Sequence, residues 1–373
     1  MEKPIHIVIT YVDGNAPEWQ AAHTQYVGES VTAKRFRDWG TLPFLLRAIE
    51  QHMPFVSDVW LVVSSDSQVP AWVDRSQLHI VRHSDIIPAE YLPTFNSATI
   101  EMFLYRIPGL SERFLYFNDD CFPMKPCKET DFFQGDKVVV GHTRQWITAG
   151  NNYRLRVRNS SNLARRALGL RETKSYVRPQ HTCIPMLTSQ CEALMAKMGD
   201  EIGKKITRPR SSHNYNQYIF SDYLYYQHRT INRKLSNKHF SLAVASIDQI
   251  TRFLAQPTRQ LVCINDVEMS DAKYALYREQ LLAAFGRCFP EKSRFELWQQ
   301  LLVLLYEHAL VEVCLGRRTA LSAIGRQFVV REAQHLLQPI DDGRHLPRIE
   351  EHTVSSLCHI DGVVADTAAS HGQ

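Results

Sequence analysis

The fold is decided by the stretch Phe114-Leu115-Tyr116-Phe117-Asn118-Asp119-Asp120, a short apolar run that ends in an amide and two carboxylates. Such a run is typical of a parallel strand that is covered on both faces. Val59–Val63 has the same character, and Ile5–Val12 is a β-rich run that ends at the turn residues Asp13-Gly14. Leucine and isoleucine recur at helical spacing over Leu42–His52, between these strands. Strands that alternate with helices predict a parallel α/β sheet of the nucleotide-binding kind.

Weaker patterns predict further elements along the chain. The predicted strands are Leu78–Val81, Val138–Val140 and Leu261–Ile264, and the predicted helices are Ser97–Tyr105, Asn159–Leu168, Asn214–Gln227 and Leu297–Leu315. Helical patterns dominate from Asp271 to about Leu337. Polar and small residues follow, which predicts a disordered tail.

Three predicted strand ends carry acidic or amide side chains. They are Asp13, Asn118-Asp119-Asp120 and Asn265-Asp266. Open α/β sheets bind ligands beyond the carboxyl ends of their strands, and Mg²⁺ prefers carboxylate and amide oxygens together with phosphate and water. The alternative is that these residues only begin the turns that follow strands. Adjacent carboxylates repel each other unless a cation or donor offsets them, which favours the functional interpretation for Asp119-Asp120.

Arginines form a second group of candidates. They are Arg35 and Arg37 beside Asp38, Arg178 ahead of His181, and Arg208 with Arg210. A guanidinium fork can donate two hydrogen bonds to phosphate oxygens, so these residues suit a diphosphate. Each arginine alone is more often a solvated or salt-bridged surface residue, and a histidine in the apolar segment of His181 is by default structural. The residue chemistry alone predicts a magnesium-dependent nucleotide-sugar enzyme.

Composition excludes several classes of protein. The chain has 373 residues, 44% hydrophobic and 22% charged, with a formal charge of +4 and no basic block. These values argue against a disordered protein, a collagen-like fibre or a small disulfide scaffold, and they require no nucleic-acid partner. The eight cysteines are scattered singly, and no apolar run reaches the length of a membrane-spanning helix. We expect a cytoplasmic protein with reduced thiols.

Four blocks of sequence resemble the Stealth family of sugar-phosphate transferases, which includes bacterial capsular polysaccharide phosphotransferases and the lysosomal-enzyme N-acetylglucosamine-1-phosphotransferase. The blocks lie at Ile7–Gly14, at Arg35–Asp38 through Pro93–Ser97 and Arg106–Leu110 to Phe117–Asp120, at Arg178–Met186 with Arg208–Gln217, and at Val262–Asp266 with Phe289–Glu296. They follow the family's order over about residues 5–296. Ala98 and Trp39 depart from the family pattern, which usually has His and Asn at these positions.

The resemblance implies a fold and a reaction. The fold is a GT-A-like nucleotide-diphospho-sugar transferase, a Rossmann-like α/β core with mostly helical C-terminal additions. The catalytic domain would span residues 1–300, with the core sheet at about 5–140 and 255–270 and an insertion at about 141–254. A helical extension with a disordered tail would follow at 301–373. The reaction moves a sugar-1-phosphate, typically of an N-acetylhexosamine, from a UDP-sugar to a sugar hydroxyl and releases UMP.

The resemblance also implies roles for individual residues. Donor contacts would come from Tyr11, Val12, Asp13 and Gly14 against the uridine side, from Asn118, and from Arg37 and Asp38, which would orient the donor. Mg²⁺, or Mn²⁺ in its place, would be held by Asp119, Asp120 and Asn265, with Asp120 the least favoured. Arg178 and Arg210 would stabilise phosphate charge. His181 would be the general base, with Asp266 as the second candidate.

Two other functions remain open. A conventional GT-A glycosyltransferase would use the same residues, attack the anomeric carbon and release UDP. A non-catalytic subunit would bind a nucleotide sugar or polysaccharide without turnover. The partners predicted by the phosphotransferase interpretation are a UDP-sugar and an oligo- or polysaccharide acceptor. The apolar C-terminal helices would allow peripheral docking on a capsule assembly at the inner face of the membrane, although such stripes are more often plain core.

Overall fold

The structure is a computed structural model that describes residues 4–28, 36–146 and 152–297. The chain divides into two compact units, Met1–Trp298 and Gln299–Gln373, and the description below is of the first unit. The predicted helix over Leu297–Leu315 and the predicted extension over 301–373 fall outside the described residues, apart from Leu297 itself. Within the described ranges, no helix is long and apolar enough to span a bilayer.

The elements alternate along the chain much as the sequence predicts. The strands are β1 (Ile5–Thr10), β2 (Asp58–Val63), β3 (His79–Arg82), β4 (Arg113–Asn118), β5 (Cys121–Pro123), β6 (Phe133–Gln134), β7 (Lys137–Val139), β8 (His142–Trp146), β9 (Ser175–Pro179), β10 (Ile184–Leu187), β11 (Thr230–Ile231), β12 (Asn237–Ser241) and β13 (Leu261–Asn265). The helices are α1 (Pro17–Val27), α2 (Leu42–His52), α3 (His83–Ile86), α4 (Ser97–Glu101), α5 (Asn152–Arg166), α6 (Thr188–Gly203), α7 (Tyr218–Tyr226), α8 (Ile247–Ala255) and α9 (Asp271–Cys288).

The main sheet has five strands in the order β10-β4-β1-β2-β3. β3, β2, β1 and β4 are parallel, and β10 adds an antiparallel edge beside β4. The order 3-2-1-4 is part of the 3-2-1-4-5-6 order of a nucleotide-binding doubly wound sheet. The predicted α/β class with a Rossmann-like parallel core is therefore confirmed.

Apolar residues cover both faces of this sheet. Ile7 and Ile9 of β1 point to the face where Leu45 of α2 packs, and all three are fully buried. Val8 points to the other face and packs with Phe114 of β4. Because both faces are covered, the strands are almost continuously apolar, which is why they could be recognised from the sequence.

A second sheet stands beside the first, with the order β12-β13-β5. β12 runs parallel to β13, and β5 runs antiparallel to it. β5 follows β4 after only Asp119 and Asp120, so this two-residue turn joins the two sheets. The strand at 261–265, which the sequence analysis assigned to the core sheet, lies in this second sheet because its partners are β5 and β12.

Several elements differ in extent from their predictions. The predicted helix over Ser97–Tyr105 is α4 followed by a separate 3₁₀ turn, Leu104–Arg106. α5 begins at Asn152, so Asn159 lies inside the helix instead of at its start. α7 begins at Tyr218 instead of Asn214, whose Oδ1 accepts from Asn96 Nδ2 (2.9 Å) in a tertiary contact. Local patterns do not reveal such long-range hydrogen bonds.

Candidate active site at the junction of the two sheets

The carboxyl ends of β1 and β4 meet at one edge of the main sheet. Thr10 and Asn118, the last residues of these strands, are direct partners in the parallel ladder. The second sheet brings the end of β13 to the same place, since Ile264 donates its backbone N–H to Asp120 O (2.9 Å). The three predicted strand ends, Asp13, Asn118–Asp120 and Asn265-Asp266, therefore converge.

The loop after β1 is held closely against the segment 36–38. The backbone N–H of Asp13 donates to Gln68 Oε1 (2.7 Å), and Gln68 Nε2 donates back to Asp13 O (3.2 Å). Gly14 donates its N–H to Phe36 O (2.7 Å), and a Cβ at Gly14 would lie only 2.2 Å from that oxygen. Only glycine fits there, so Gly14 permits the approach that carries Asp38 to the strand ends. Val12, half-buried, lies between Tyr11 and Asp13 on this loop.

Four carboxylates gather at these loops, and we call Asp13, Asp38, Asp119 and Asp266 the carboxylate cluster. Burial and the charge of Asp38 raise the pKa of Asp119 to about 7. Burial also raises the pKa of Asp38, although the Gly40 N–H donates to its Oδ1 (2.9 Å). Burial and Asp38 raise the pKa of Tyr11, whose hydroxyl stays protonated and hydrogen-bonds to Asp38. Burial and neighbouring carboxylates therefore outweigh the hydrogen bonds in setting the pKa values of Asp38 and Asp119.

The donor set around Asp119 fits a hard divalent cation. Carboxylate oxygens are the ligands that Mg²⁺ and Mn²⁺ prefer, and a cation would relieve the repulsion that raises the pKa of Asp119. The other two predicted metal ligands are oriented differently. Asp120 directs Oδ1 to Cys121 Sγ (3.3 Å) and Oδ2 to Cys263 Sγ (3.4 Å). The side-chain amide of Asn265 donates to Asp266 O (3.0 Å).

A second group of side chains lies on the other side of the β4–β5 turn. We call Asp120, Cys121, His181, His239 and Cys263 the thiol–imidazole cluster. Its members on strands are His239, Cys263 and Cys121. They occupy one row across the second sheet, because His239 pairs with Cys263 and Cys263 pairs with Cys121. His181 reaches this row from the β9–β10 connection, and its Nδ1 hydrogen-bonds to Tyr218 Oη (3.0 Å). The His181 and His239 ring centroids are 5.6 Å apart.

The members of the thiol–imidazole cluster shift one another's pKa values. Contacts with Cys121 and His181 hold the pKa of Cys263 well below its usual value, against the effect of burial. Burial acts to lower the pKa of His181, but Cys263 and Asp120 outweigh it and raise this pKa to about 9. Burial and Cys263 raise the pKa of Asp120. His181 therefore shares a proton with Cys263 and is cationic at neutral pH when the thiol is ionised.

The predicted arginines fall into two arrangements. Arg210 is exposed and donates Nη2 to Ser97 Oγ (2.5 Å). Burial raises the pKa of Glu101, and the charge of Arg210 opposes this shift. Arg178 is half-buried on β9. Burial raises the pKa of Tyr218, the hydrogen-bond partner of His181, and the charge of Arg178 opposes this shift. The two arginines thus act on neighbouring buried groups, since Glu101 also influences the pKa of Tyr218.

Arg37 has a different setting. It forms an ion pair with Asp271 and lies over the Tyr274 ring at 4.7 Å from the ring centroid, so it holds the start of α9 against the 36–38 segment. Arg35 lies outside the described residues.

A buried hydrogen-bond network supports the strand ends from below. Tyr116 donates its hydroxyl to Asn118 Oδ1 (2.6 Å) and lies 3.1 Å from Thr10 Oγ1. Glu101, fully buried, accepts from the Gln217 backbone N–H (3.2 Å), and burial raises its pKa. This network fixes the direction of Asn118, the predicted donor contact.

Sequence reasoning missed several of these residues. Cys121, His239, Cys263 and Glu101 were assigned no role, since single cysteines and a lone histidine carry no signal by themselves. One signal could have found Cys263. It lies two residues before Asn265 on the same strand, so both side chains point to the same face.

Comparison with known proteins identifies the family. A family model for conserved region 2 of Stealth proteins matches residues 35–140. Capsular polysaccharide phosphotransferase WcwK of Streptococcus pneumoniae is 30% identical over 335 residues, which cover 79% of this chain and 99% of that protein. The chain belongs to the Stealth family. The predicted resemblance is thereby confirmed, and conserved region 2 contains Asp38, Asn118, Asp119 and Asp120 of the site.

Other relatives of this Stealth protein match over shorter segments. Receptor polysaccharide phosphotransferase WefC of Streptococcus oralis is 43% identical over 148 residues, 37% of this chain and 44% of that protein. Capsular polysaccharide phosphotransferase cps1A of Actinobacillus pleuropneumoniae is 38% identical over 146 residues, 36% of this chain and 40% of that protein. The chain therefore covers less than half the length of these two relatives.

Solved structures offer only distant likenesses. Glycosyltransferase GlyE of Streptococcus pneumoniae TIGR4 matches with a TM-score of 0.37 and 10% identity, over 78% of this chain and 62% of that chain. Galactosyltransferase LgtC, solved with donor and acceptor sugar analogues, matches with a TM-score of 0.36 and 9% identity, over 75% of this chain and 95% of that chain. At these scores the likeness adds nothing to what the strands themselves show.

Proposed function

We propose that this Stealth protein is a phosphotransferase that moves an N-acetylhexosamine-1-phosphate from a UDP-sugar to a hydroxyl of a capsular or cell-surface saccharide. A phosphodiester forms and UMP leaves. The observation that carries the proposal is the match to nearly the whole length of WcwK, a protein named as a capsular polysaccharide phosphotransferase. The convergence of Asp119 with the ends of β1 and β13 supports it, because a diphosphate would bind at that edge of the sheet.

The nucleotide side of the donor would lie along the loop after β1. Tyr11, Val12, Asp13 and Gly14 form that loop, and Gly14 keeps it against Phe36 without a side chain in between. Asn118 would contact the donor from the neighbouring strand end, with its orientation set by Tyr116. Asp38 would orient the donor directly, and Arg37 would do so by holding its own segment to α9.

The carboxylate cluster would hold the divalent cation. Asp119 would be its principal ligand, and Asp120 and Asn265, which lie outside that cluster and now contact the cysteines and Asp266 O, are the further predicted ligands. When bound, Mg²⁺ or Mn²⁺ would neutralise charge on the diphosphate oxygens. The protein's own contribution is to present hard oxygen donors where the β-phosphate would lie.

The remaining residues would handle the phosphoryl charge and the proton. Attack of an acceptor hydroxyl on the β-phosphorus needs positioning and charge stabilisation, which Arg178 and Arg210 would supply. His181 would take the hydroxyl proton after giving up its own, because its surroundings raise its pKa to about 9. Asp266, beside Asp119, is the second candidate for the base.

The proposal also specifies partners and place. The acceptor is an oligo- or polysaccharide, and the protein works in the cytoplasm, associated peripherally with a membrane capsule assembly. No nucleic acid takes part.

Phosphorus NMR of the acceptor tests the proposed function. Protein, Mg²⁺, a panel of UDP-N-acetylhexosamines and capsule-type oligosaccharides would be incubated, and the purified oligosaccharide examined. We expect a phosphodiester resonance with one donor, absent when Asp119→Asn replaces the wild type. An oligosaccharide that gains a sugar without phosphorus would overturn the proposal in favour of a conventional glycosyltransferase. Tight UDP binding without any product would indicate a binding subunit.

A further inference from the structure

Two imidazoles and a thiol of the thiol–imidazole cluster form a set of possible metal ligands. The proposed phosphotransferase reaction uses none of them to bind a metal. One ligand atom from each of His181, His239 and Cys263 lies within 4.8 Å of the other two. We propose that these three residues bind Zn²⁺, and that Zn²⁺ bound there blocks the transfer reaction by occupying a ring nitrogen of His181.

The donor atoms select the metal. A thiolate and two imidazoles are ligands for zinc and similar borderline-soft cations, whereas Mg²⁺ prefers oxygen. In tetrahedral zinc sites the metal lies about 2.0–2.3 Å from its ligands, so neighbouring ligand atoms lie about 3–4 Å apart. Separations within 4.8 Å need only small side-chain movements to reach that geometry. Three protein ligands leave a fourth position for water.

The fold builds most of this site in advance. His239 and Cys263 are paired in the β12–β13 ladder, so the backbone fixes their spacing. Cys263 is fully buried, whereas the side chain of His239 is exposed. The cation can therefore enter from solvent past His239 and reach the thiol behind it.

Partners outside the ligand set orient His181. Its Nδ1 hydrogen-bonds to Tyr218 Oη (3.0 Å), which leaves Nε2 for the metal. Its backbone oxygen accepts from Asn237 Nδ2 (2.9 Å), and the preceding Gln180 side chain bonds both ways to the Leu235 backbone. Such outer contacts fix the ring of a ligating histidine and strengthen metal binding.

Only the inhibitory half of this inference depends on the proposed function. His181 cannot take a proton from the acceptor while Zn²⁺ holds its nitrogen, so bound zinc and transfer exclude each other. Zinc binding itself depends only on the three side chains and can be measured without any substrate.

Cobalt binding tests the site directly. Co²⁺ would be titrated into the chelator-treated full-length protein, with thiolate-to-cobalt absorption in the near ultraviolet and tetrahedral bands in the visible as readouts. We expect one equivalent to bind and Zn²⁺ to displace it. Cys263→Ser should abolish the thiolate band, while Cys288→Ser, at a half-buried thiol bonded to Leu254 O, should keep it.

His239 and His213 are both exposed, so substituting either one leaves the core intact. His239→Ala should weaken zinc binding by at least about 100-fold, since loss of an outer partner alone costs 10- to 100-fold. His213→Ala, at another exposed histidine, should leave it unchanged. Three results would each overturn the site: the wild type shows no thiolate band, the band survives in Cys263→Ser, or His239→Ala binds zinc as tightly as the wild type. If Cys263→Ser fails to fold, the His239→Ala result decides.

Inhibition is measured separately in zinc buffers at fixed Mg²⁺. Wild-type transfer should fall as Zn²⁺ fills the site measured with cobalt, and His239→Ala should need about 100-fold more Zn²⁺. Stoichiometric zinc binding with unchanged transfer would overturn the inhibitory half. A wild type that transfers nothing even without Zn²⁺ would contradict the proposed function, while the cobalt titration would still decide on the site.

Discussion

The carboxylate cluster and the thiol–imidazole cluster begin from the same two-residue turn but offer opposite chemistry. Asp119 lies near Asp38 and Asp266, which offer hard carboxylate oxygens. Asp120 turns both oxygens to Cys121 and Cys263, beside imidazoles. At this turn the two carboxylates, although adjacent in sequence, therefore face different clusters. We therefore expect Asp119 and Asp120 to respond differently to substitution and to metals.

The largest expected effect is at the carboxylate cluster. Asp119→Asn should lower kcat by about 10⁴-fold or more, because it removes the principal cation ligand where phosphoryl charge develops. Residual turnover should depend less on Mg²⁺. The control is Asp136→Asn, at an exposed carboxylate, which should behave as wild type. Full activity in Asp119→Asn, measured with saturating donor, would remove this residue from the site.

The thiol–imidazole cluster should show a different kinetic pattern. His181→Gln should lower kcat by about 10³-fold, the typical contribution of a general base, while UDP-sugar affinity stays within about threefold. Calorimetric titration with the donor measures the affinity and a product assay measures kcat. An equal loss of affinity and turnover would show that His181 binds the donor instead of moving a proton.

Arg208 and Arg210, which lie close together in the sequence, provide a matched pair of variants. Arg210→Ala should lower kcat/KM by about 10²-fold, since the guanidinium near Glu101 would stabilise phosphate charge. Arg208→Ala should change kcat/KM by less than about threefold, because Arg208 donates to Leu92 O and lies over the Tyr26 ring. Equal effects in both variants would contradict the role of Arg210.

The pH dependence of the rate separates the two candidate bases. Neighbours raise the pKa of His181 to about 9, and a base works only when deprotonated. The value of kcat/KM in zinc-free buffer should therefore rise about tenfold between pH 7 and pH 8. His181→Gln should lose this rise. A flat profile in the wild type over this range would favour Asp266 as the base.

The smallest effect is expected in the network beneath both clusters. Tyr116→Phe keeps the buried ring but leaves Asn118 Oδ1 without its donor. The free energy of unfolding should fall by about 1–3 kcal/mol, and kcat/KM by less than about tenfold. Urea unfolding and initial rates measure the two quantities. Tyr225→Phe, at a half-buried tyrosine of α7, should change neither.

The main sheet was predictable because its information is local. Consecutive apolar residues over 59–63 and 114–117 mark strands covered on both faces, and the helix Leu42–His52 has the predicted bounds. The second sheet was not predictable in this way. Its pairing of Cys121 with Cys263 joins distant parts of the chain, and nothing within either strand specifies the partner.

The candidate site likewise has one part that local sequence predicts and one part that depends on long-range contacts. The meeting of Asp13 with Asn118–Asp120 follows from parallel strands, whose carboxyl ends share one edge. The thiol–imidazole cluster needs three long-range contacts at once, so its cysteines looked like scattered thiols. The ladder places Cys121 opposite Cys263, a residue far away in the sequence.

The identity of the released nucleotide distinguishes phosphoryl transfer from glycosyl transfer. Wild-type protein would be incubated with Mg²⁺, the active UDP-N-acetylhexosamine and its acceptor, and the nucleotide products separated and quantified against acceptor-bound sugar. The account predicts UMP in equal amount to the transferred sugar, with none from Asp119→Asn. Release of UDP in that amount would contradict phosphoryl transfer and assign the same residues to a conventional glycosyltransferase.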